Sequence, residues 1–338
     1  MAAYHSGSKP DFLQISPHNL ESFVVDHLQP TTEYNRVAED LIDRLVNYLQ
    51  HNVGYSVNRV VKSGSFGKGT QVKDSADLDC IMVINELNGL DDLLHRSRTI
   101  IGNLKNGVEK ASWAYSIQNV KTTRFAVQFD VTTKADGKTN TMSVDLLPTF
   151  DALGQHSSQD QRYRAYNEAM TYIGSDKVNY YSVALGQLQV DFVRGQPTRV
   201  KNLIRLVKYW RKEVMLKKAN RDFMYPTSYP MELITIYTWQ NAGKQASFDM
   251  AEAFKAVLMR LMNYSSLDIA WYENYNQALA AQAKSKMTRP ILLDPANPTN
   301  NVFSLSNPPA LEHMSELARD TMQKPLLRGV SINYPWNK

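Results

Sequence analysis

The chain has 338 residues, of which 43% are hydrophobic and 21% are charged, with a formal net charge of +5 and a pI near 9.0. These proportions describe an ordinary globular protein, long enough for one large domain or for two lobes with their own cores. No apolar run approaches the length that spans a bilayer, and the N-terminus lacks a signal-peptide pattern. We therefore expect neither a membrane-spanning segment nor a membrane partner.

Cysteine usage and charge set two further limits. Cys80 is the only cysteine, which excludes an internal disulfide and a cysteine-based zinc site. A chain without disulfides suits a reducing compartment, so we expect the cytoplasm. The positive net charge favours a polyanionic partner, although nucleotides alone would satisfy that preference.

The chain begins with a segment, residues 1–16, that we predict to be poorly ordered because it combines Gly, Ser and Pro. Apolar residues then recur at helical spacing over 19–28 and, more strongly, over 32–50. Thr31 or Thr32 is expected to begin the second of these helices, because threonine is a preferred residue at helix starts.

Strand-like segments follow the helices, and a second change of pattern follows the strands. The strands are predicted at 57–62, 79–85, about 113–120, 124–132 and 140–147. Asp136-Gly137 predicts a hairpin turn between the last two. After Pro148 helical patterns dominate. This order predicts an α+β protein, with a mixed-sheet lobe and its N-terminal helix over 1–158 and a helical lobe over 159–338.

Three aspartates carry the strongest chemical signal. Asp77 and Asp79 alternate along one strand and so project from the same face, and Asp145 lies on a later strand that would bring it beside them. A lone Asp-x-Asp pair usually belongs to a solvated turn or a helix cap, but here an apolar run follows the pair directly. Clustered carboxylates repel one another unless a divalent cation lies between them, and oxygen ligands indicate Mg²⁺ or Mn²⁺. The sequence therefore predicts a metal-dependent phosphoryl-transfer site of the nucleotidyltransferase kind.

A glycine-rich stretch precedes the aspartates, with the sequence Gly64-Ser65-Phe66-Gly67-Lys68-Gly69-Thr70. It is not a Walker A loop, because only two residues separate Gly64 from Gly67 where that motif needs four. One interpretation is a tight turn at the end of a strand. The other, which we favour because the aspartates follow, places Gly64 and Ser65 where backbone amides and the serine hydroxyl donate to phosphate.

A helix predicted over 199–214 has two stripes. Apolar residues form a buried stripe, and Lys201, Arg205, Lys208 and Lys212 form a basic stripe on another face. A basic stripe is often only a solvated face. However, an enzyme that holds a triphosphate near carboxylates needs cations to offset the phosphate charge. We predict that Arg205 and Lys208, one turn apart, serve this purpose.

The sequence resembles the 2′-5′-oligoadenylate synthetase family, as an invertebrate-type member, within the wider group that includes cyclic GMP-AMP synthase. The resemblance runs from Leu20 onward and is carried by four blocks in family order. These blocks are 60–70, 145–155, 203–210 and 289–299. The resemblance implies a bilobed, polymerase-beta-like nucleotidyltransferase fold with its active site between the lobes.

The resemblance also implies roles for individual residues. Asp77, Asp79 and Asp145 would bind two Mg²⁺ ions, with Mn²⁺ as an alternative. The residues expected to bind the donor nucleotide are Gly64, Ser65, Arg205, Lys208, Ser228 and Tyr229. Tyr229 matches a tyrosine that stacks on the donor base, and Ser228 precedes it where the family has a glutamine, which leaves the choice of base open.

The activity implied by the resemblance is template-independent synthesis of 2′-5′-linked oligoadenylates from ATP. Other nucleoside triphosphates are further candidate substrates. We expect the enzyme to be a monomer and to act in antiviral innate immunity. Double-stranded RNA activates vertebrate relatives through contacts with its phosphates. The cations expected to contact RNA here are Lys62, Lys68, Arg194, Arg199 and Lys201. Against this partner, Asn35, Gln50 and Val190 stand where vertebrate members have basic residues.

Three alternatives stay open. The nearest keeps the fold and changes the product to a cyclic dinucleotide, as in the receptors that resemble cyclic GMP-AMP synthase. A catalytically idle RNA-binding or scaffold protein is the second, and the intact aspartate trio argues against it because an idle site has no reason to keep repelling acids. A polymerase that extends RNA ends is the third, but no RNA-binding module is visible in the sequence.

Overall fold

The structure is a computed structural model that describes residues 10–73, 77–112, 114, 116–135, 138–154 and 157–337. The predicted turn at Asp136-Gly137 lies outside the described residues. The helices are α1 (Leu20–Phe23), α2 (Thr32–Asn52), α3 (Gly64–Lys68), α4 (Leu90–Glu109), α5 (Gln159–Met170), α6 (Lys177–Ala184), α7 (Gly186–Arg194), α8 (Thr198–Trp210), α9 (Ser228–Asn241), α10 (Met250–Met262), α11 (Gln277–Lys284) and α12 (Pro308–Met322). Within this part of the chain, none of the helices is long and apolar enough to cross a membrane.

The strands form a mixed sheet and a small second one. The strands are β1 (Val57–Ser63), β2 (Asp77–Ile84), β3 (Ser116–Thr122), β4 (Val127–Ala135), β5 (Lys138–Thr149), β6 (Asp268–Ile269) and β7 (Ile291–Leu292). The large sheet has the order β1-β2-β5-β4-β3, and β6 pairs with β7. Only β2 and β5 run parallel within the described large sheet. Because helices dominate after β5, the predicted α+β class is confirmed.

One face of β2 is the apolar core of the sheet. Leu78, Cys80, Met82 and Ile84 are each at most 1% exposed and join a cluster with residues of α2 and α4. Burial of a side chain of this size stabilises the fold by about 1.5–3 kcal/mol. Burial, and after it the charge of Asp79, raises the pKa of the Cys80 thiol to about 12. The cysteine is therefore a protonated core residue rather than a nucleophile.

The opposite face of β2 is covered at one end by α7. Ile81 packs with Val61 of β1 and with Val190 of α7. The helix approaches so closely that a Cβ atom at Gly186 would lie 2.2 Å from Cδ1 of Ile81. Asp79 shares this face with Ile81, because the two residues are two positions apart on a strand. The helix therefore packs on the apolar end of this face, beyond Asp79.

The main helices lie where the sequence predicts them. The Thr31 hydroxyl accepts a hydrogen bond from the Tyr34 amide at 3.1 Å, and α2 begins at the next residue. The helix predicted over 199–214 is α8, followed by a π-helical turn at Arg211–Met215. The helix predicted over 19–28 is α1, also continued by a π-helical turn.

The prediction of a poorly ordered start is wrong for residues 10–16. The Asp11 carboxylate accepts a hydrogen bond from the Leu13 amide at 3.1 Å and caps a short 3₁₀ helix. Phe12 is 5% exposed, and its ring packs edge-on against Tyr209 with 5.1 Å between centroids. One buried aromatic side chain anchors the segment, and composition alone did not reveal it.

The described chain divides into two compact units, and both are discontinuous. The first contains the described residues up to Gln29, Gln196–Asp268, and those from Val302 onward. The second contains Pro30–Gly195 and Ile269–Asn301, and it includes the large sheet. This division differs from the predicted boundary after residue 158.

Side-chain contacts explain the different division. Helices α5 to α7 belong with the sheet, and the ring of Tyr181 in α6 packs edge-on against Phe150 at 5.5 Å. The later segment 269–301 joins the same unit, and Gln189 of α7 donates to Oδ2 of Asp294 at 2.6 Å. These contacts join residues that are far apart in sequence. The composition of the chain does not change where one unit ends and the other begins, so the sequence pattern could not indicate the division.

A half-buried ion pair fixes the chain just after β5. Arg59 donates to both carboxylate oxygens of Asp151, at 2.7 and 3.1 Å, and the amides of Gly154 and Leu153 donate to Oδ1 at 2.9 and 3.2 Å. Burial alone would raise the pKa of Asp151. The hydrogen bonds and charge of Arg59, together with the two amides, outweigh burial and hold that pKa below its ordinary value.

The lowered pKa predicts how Asp151 affects stability at different pH values. Its contribution is fully present above the unfolded-state value near 4 and is lost as the pH falls through the lower folded-state value. We therefore expect Asp151→Asn to lower the melting temperature at pH 7, with a difference from wild type that shrinks below about pH 4. Thermal melts between pH 3 and 7 measure this, with the exposed Glu316→Gln as a control. A difference that is constant over this range would contradict the assignment.

Candidate active site

The sheet brings two of the predicted aspartates side by side. In the parallel pairing of β2 with β5, Asp79 is the direct partner of Asp145. Adjacent strands lie about 4.8 Å apart, so the two side chains leave the same face as neighbours. Both residues are half-buried. The structure thus has the strand pairing on which the predicted site depends.

Asp77 lies on the same strand, two residues before Asp79. It is the partner of Ser143 in β5, and its side chain is exposed at the start of β2. Alternation places it on the face of Asp79. Among the described residues, no three His, Cys, Asp or Glu side chains converge into a ready-made metal cage. The aspartates therefore share a face of the sheet as a row and not as a closed cluster.

Gly64 lies directly against the Asp79 carboxylate. Its φ angle is +59°, and a Cβ atom built on it would lie 1.7 Å from Oδ2 of Asp79. The preceding Ser63 donates from its hydroxyl to the backbone carbonyl of Asp79 at 3.0 Å. Glycine is required here by the backbone conformation and by the space that the carboxylate occupies. The glycine-rich stretch therefore has a role in placing Asp79.

Two contacts hold α3, the helix formed by this stretch. A Cβ atom at Gly67 would lie 2.0 Å from the carbonyl oxygen of Lys62, so helix and strand are in close contact. Arg194, the last residue of α7, donates from Nε to the Gly67 carbonyl at 2.8 Å. Ser65 is half-buried in the first turn of α3. The two residues predicted to contact phosphate, Gly64 and Ser65, are thus fixed beside β2.

Gln128 on β4 belongs to the same face, although no sequence motif indicates it. It is the partner of Asp145 in the antiparallel pairing of β4 with β5, and its Nε2 donates to Oδ2 of Asp145 at 3.1 Å. Side chains alternate between the two faces of a strand, so the strand predicted at 124–132 assigns Gln128 to one face but does not identify its partner on the neighbouring strand. The register against β5 is set by tertiary pairing, and a sequence pattern does not contain it.

The donor set on this face fits a hard divalent cation. Asp79 and Asp145 offer carboxylate oxygens, which Mg²⁺ and Mn²⁺ prefer, and the repulsion between neighbouring carboxylates falls when a cation lies between them. Gly64 itself contributes no side chain beside the Asp79 carboxylate. The residues present therefore suit the metal that the sequence predicts.

The cations predicted to bind phosphate lie on α8, in the first unit. Nζ of Lys208 is 3.4 Å from Oε1 of Glu232 on α9, and both residues are buried. Arg205 donates to Oδ1 of Asn202 at 2.9 Å. Burial lowers the pKa of the Arg205 guanidinium to about 10, so it stays a cation at neutral pH. Glu232 therefore offsets part of the positive charge of the basic stripe that the sequence predicts on this helix.

The residues predicted to contact the donor base begin α9. Ser228 is the first residue of the helix, Tyr229 is the second, and both are half-buried. Glu232 lies one turn further on, so its contact with Lys208 brings the first turn of α9 against α8. Arg205, Lys208, Ser228 and Tyr229 therefore belong to one unit, whereas the aspartates belong to the other.

The second unit holds three of the cations predicted to contact RNA. Nζ of Lys62 lies 2.8 Å from Oδ1 of Asp43 on α2. Lys68 is only 7% exposed. Arg194 makes the hydrogen bond to Gly67 that holds α3. Each of these side chains therefore has limited freedom to reach a phosphate without giving up burial or an internal contact.

Arg199 and Lys201 lie in the first unit, at the start of α8. Arg199 pairs with Glu21 at 2.7 Å and donates twice to the carbonyl of Phe248, at 2.6 and 2.9 Å. Lys201 is half-buried. These contacts give Arg199 a structural role in joining α8 to the neighbouring segments of its unit.

The fold is that of the nucleotidyltransferases. It is similar to the structure titled "Structure of E. coli MS115-1 CdnC + ATP", with a TM-score of 0.61 and 21% identity over 91% of this chain and 90% of that one. A second similar structure is terminal uridylyl transferase 4 from Trypanosoma brucei with bound GTP, with a TM-score of 0.52 and 12% identity over 94% of this chain and 99% of that one. The predicted fold is confirmed.

Comparison of sequences shows to which protein family the chain belongs. The family model described as 2′-5′-oligoadenylate synthetase 1, domain 2, C-terminus, matches residues 157–337. The 2′-5′-oligoadenylate synthase 1A of Mus musculus is 30% identical over 327 residues, which cover 88% of this chain and 85% of that protein. The chain belongs to the 2′-5′-oligoadenylate synthetase family. The resemblance inferred from the four sequence blocks is thereby confirmed.

Some relatives are longer than this chain. The 2′-5′-oligoadenylate synthase 2 of Mus musculus is 32% identical over 305 residues, and the aligned part covers 84% of this chain but 40% of that protein. For the corresponding protein of Rattus norvegicus the covered share is 41%. The chain therefore spans about two fifths of the length of these two relatives.

Proposed function

We propose that this chain is a template-independent nucleotidyltransferase that joins ATP into 2′-5′-linked oligoadenylates and releases pyrophosphate. The observation that carries the proposal is the pairing of Asp79 with Asp145 on neighbouring strands, with Gly64 packed against one of the carboxylates. Relatives of the chain are named 2′-5′-oligoadenylate synthases. A scaffold protein would have no reason to keep two repelling carboxylates side by side.

Asp77, Asp79 and Asp145 would hold the divalent cations, which are Mg²⁺ or Mn²⁺. Bound cations supply a lowered pKa for the acceptor hydroxyl and charge neutralisation for the phosphates. Asp145 is half-buried, and among the described residues its carboxylate accepts one hydrogen bond, from Gln128. Its remaining lone pairs allow it to accept the proton of the attacking ribose hydroxyl. That hydroxyl oxygen forms a bond to the α-phosphorus of ATP while the bond to the bridging oxygen breaks, and pyrophosphate leaves.

Donor binding in this proposal follows the family pattern. Gly64 and Ser65 offer backbone and hydroxyl donors to the triphosphate, and Arg205 with Lys208 offsets its charge. Ser228 and Tyr229 contact the base. The support is the resemblance at these positions, together with the burial of Lys208 and the half-burial of Arg205 on α8, because low exposure strengthens electrostatic interactions.

Double-stranded RNA as an activator stays a prediction from the resemblance. Lys62 and Arg194 each have an internal partner, so an RNA phosphate would have to replace Asp43 or the Gly67 carbonyl at those positions. Phosphate contacts weaken steeply with salt. Product formation with and without long duplex RNA, across a salt series, tests this part separately. Equal activity without RNA would remove it.

Product analysis tests the main proposal. Purified protein is incubated with each nucleoside triphosphate and Mg²⁺, and the products are identified by mass and by digestion with phosphatase and with a nuclease specific for 3′-5′ bonds. We expect linear oligoadenylates that lose their terminal phosphates and resist the nuclease. Products without terminal phosphates would identify a cyclic-dinucleotide synthase, and the absence of any product with or without RNA would contradict the proposal. Asp145→Asn protein, purified in the same way, controls for contaminating enzymes.

The proposal also includes a monomeric, cytoplasmic enzyme. The oligomeric state is measured directly by light scattering of the active fraction. We expect activity to elute with a species of about 38.5 kDa, the mass of one chain.

A further inference from the structure

Three aspartates of the second unit differ in how their carboxylates are held. Asp151 receives two hydrogen bonds from Arg59. Asp130 receives bonds from two neutral donors, Asn119 and Ser143, at 2.6 and 2.7 Å, and these donors lower its pKa. Asp145 receives one, from the neutral amide of Gln128 at 3.1 Å, among the described residues. Asp145 therefore keeps the largest capacity for a further ligand.

The chemistry of the Gln128 side chain suits a carboxylate that must also bind a cation. An amide donor fixes one oxygen in place without neutralising the carboxylate charge. An arginine or lysine at this position would pair with the carboxylate, as Arg59 pairs with Asp151, and would compete with a divalent cation for its charge. The amide carbonyl of Gln128 carries partial negative charge, so the side chain turns its nitrogen toward Asp145.

The backbone makes the contact between these two residues specific. Gln128 and Asp145 are direct partners in the antiparallel pairing of β4 with β5. Within the described sheet, β4 lies between β5 and β3, so its position is fixed from both sides. Gln128 and Asp145 are both half-buried, which shields their contact from water in part. A side chain on a rigid strand holds its partner more accurately than one on a loop.

We propose that Gln128 is a positioning residue that orients the Asp145 carboxylate for a divalent cation. This inference rests on the proposed function, because it assumes that Asp145 binds the cation of the reaction. Residues that support a metal ligand through a hydrogen bond usually change metal affinity or activity by about 10–100-fold when they are replaced. Gln128 itself touches neither nucleotide nor cation in this account.

Binding of Mn²⁺ to the free protein tests the inference without turnover. Gln128→Met keeps the size of the side chain and removes the donor. We expect it to weaken Mn²⁺ binding, followed by electron paramagnetic resonance without nucleotide, by about tenfold. The kcat for nucleotide joining should fall by a similar factor while the KM for ATP stays unchanged, because the donor nucleotide is bound by other residues.

A double-mutant cycle tests whether Gln128 acts through Asp145. In protein that already carries Asp145→Asn, adding Gln128→Met should not weaken Mn²⁺ binding further, since the carboxylate that Gln128 orients is gone. Gln187→Met is the matched control. Gln187 on α7 also donates from Nε2 to an aspartate, Asp191, at 2.8 Å, and it lies outside the site. Its replacement should leave metal affinity and kcat unchanged.

Gln128→Asn keeps the test valid if the methionine variant does not fold. It retains an amide on the sheet face, but its side chain is one methylene shorter and its amide cannot reach Asp145. The expected result is the same loss of Mn²⁺ affinity. Wild-type Mn²⁺ affinity and kcat in a folded Gln128 variant would overturn the inference, provided that the wild-type protein is active. An inactive wild-type protein would instead overturn the proposed function.

Discussion

Asp145→Asn is expected to lower the rate of nucleotide joining by about a thousandfold, equivalent to about 4 kcal/mol of transition-state stabilisation. Asparagine keeps the size of the side chain and its contact with β4 but removes the charge that would bind a cation and accept a proton. The melting temperature should stay the same or rise slightly, because the substitution removes repulsion between Asp145 and Asp79 on the adjacent strand. Initial rates with ATP and Mg²⁺, together with thermal melts, measure both effects.

Asp130→Asn is the matched control for this substitution. Asp130 lies on β4 two residues from Gln128, and it is held by neutral donors from Asn119 and Ser143. The same change of charge on the same sheet should preserve most of the activity. Wild-type-like synthesis by folded Asp145→Asn protein would contradict the assignment of the site. Equal losses in the two variants would show that general charge on the sheet, and not Asp145 in particular, determines the rate.

Gly64→Ala is the second substitution with a large expected effect. An alanine Cβ would lie 1.7 Å from Oδ2 of Asp79, which neither side chain can tolerate. The φ angle of +59° adds a conformational cost of about 1–2 kcal/mol for any residue with a Cβ atom. Asp79 or α3 must therefore move. We expect activity to fall by about a hundredfold, because misplacing a reacting group by about 1 Å costs that much.

Gly54→Ala separates the two causes. Gly54 has a φ angle of +71°, and nothing lies within 4 Å of a Cβ atom built there. Its replacement carries the backbone cost without the collision. We expect both alanine variants to lose stability in thermal melts, but only the Gly64 variant to lose most of its activity. Equal activity of the two variants would mean that the contact between Gly64 and Asp79 has no role in the site.

Much of the second unit, which contains the large sheet, was predictable from local patterns. The apolar run after Asp79 predicts a buried strand, and in the structure that strand contributes residues to the large core cluster. Apolar residues that recur every four positions predict α2, and its start is predicted at Thr31 or Thr32, of which Thr31 caps the helix. These features depend on residues close together in sequence, so a sequence pattern contains them.

Other features depend on which distant residues meet. The register that places Gln128 opposite Asp145, and the close approach of Gly64 to Asp79, arise from strand pairing. From the sequence, the glycine-rich stretch is interpreted as a phosphate contact. The structure shows a further reason for its glycines, because a Cβ atom at Gly64 would collide with Asp79 and one at Gly67 would collide with Lys62. The ion pair between Lys208 and Glu232 likewise joins two helices. No local periodicity indicates contacts of this kind, because each is fixed by the tertiary fold.

We propose that Asp79 and Asp145 bind a divalent cation together. Anomalous scattering from crystals grown with Mn²⁺ and a non-hydrolysable analogue of ATP tests it directly. We predict a manganese peak about 2.0–2.2 Å from carboxylate oxygens of both residues, the distance expected for a small divalent cation bound by oxygen. Manganese that binds elsewhere on the chain, with the two carboxylates left without a metal beside the bound nucleotide, would contradict the account.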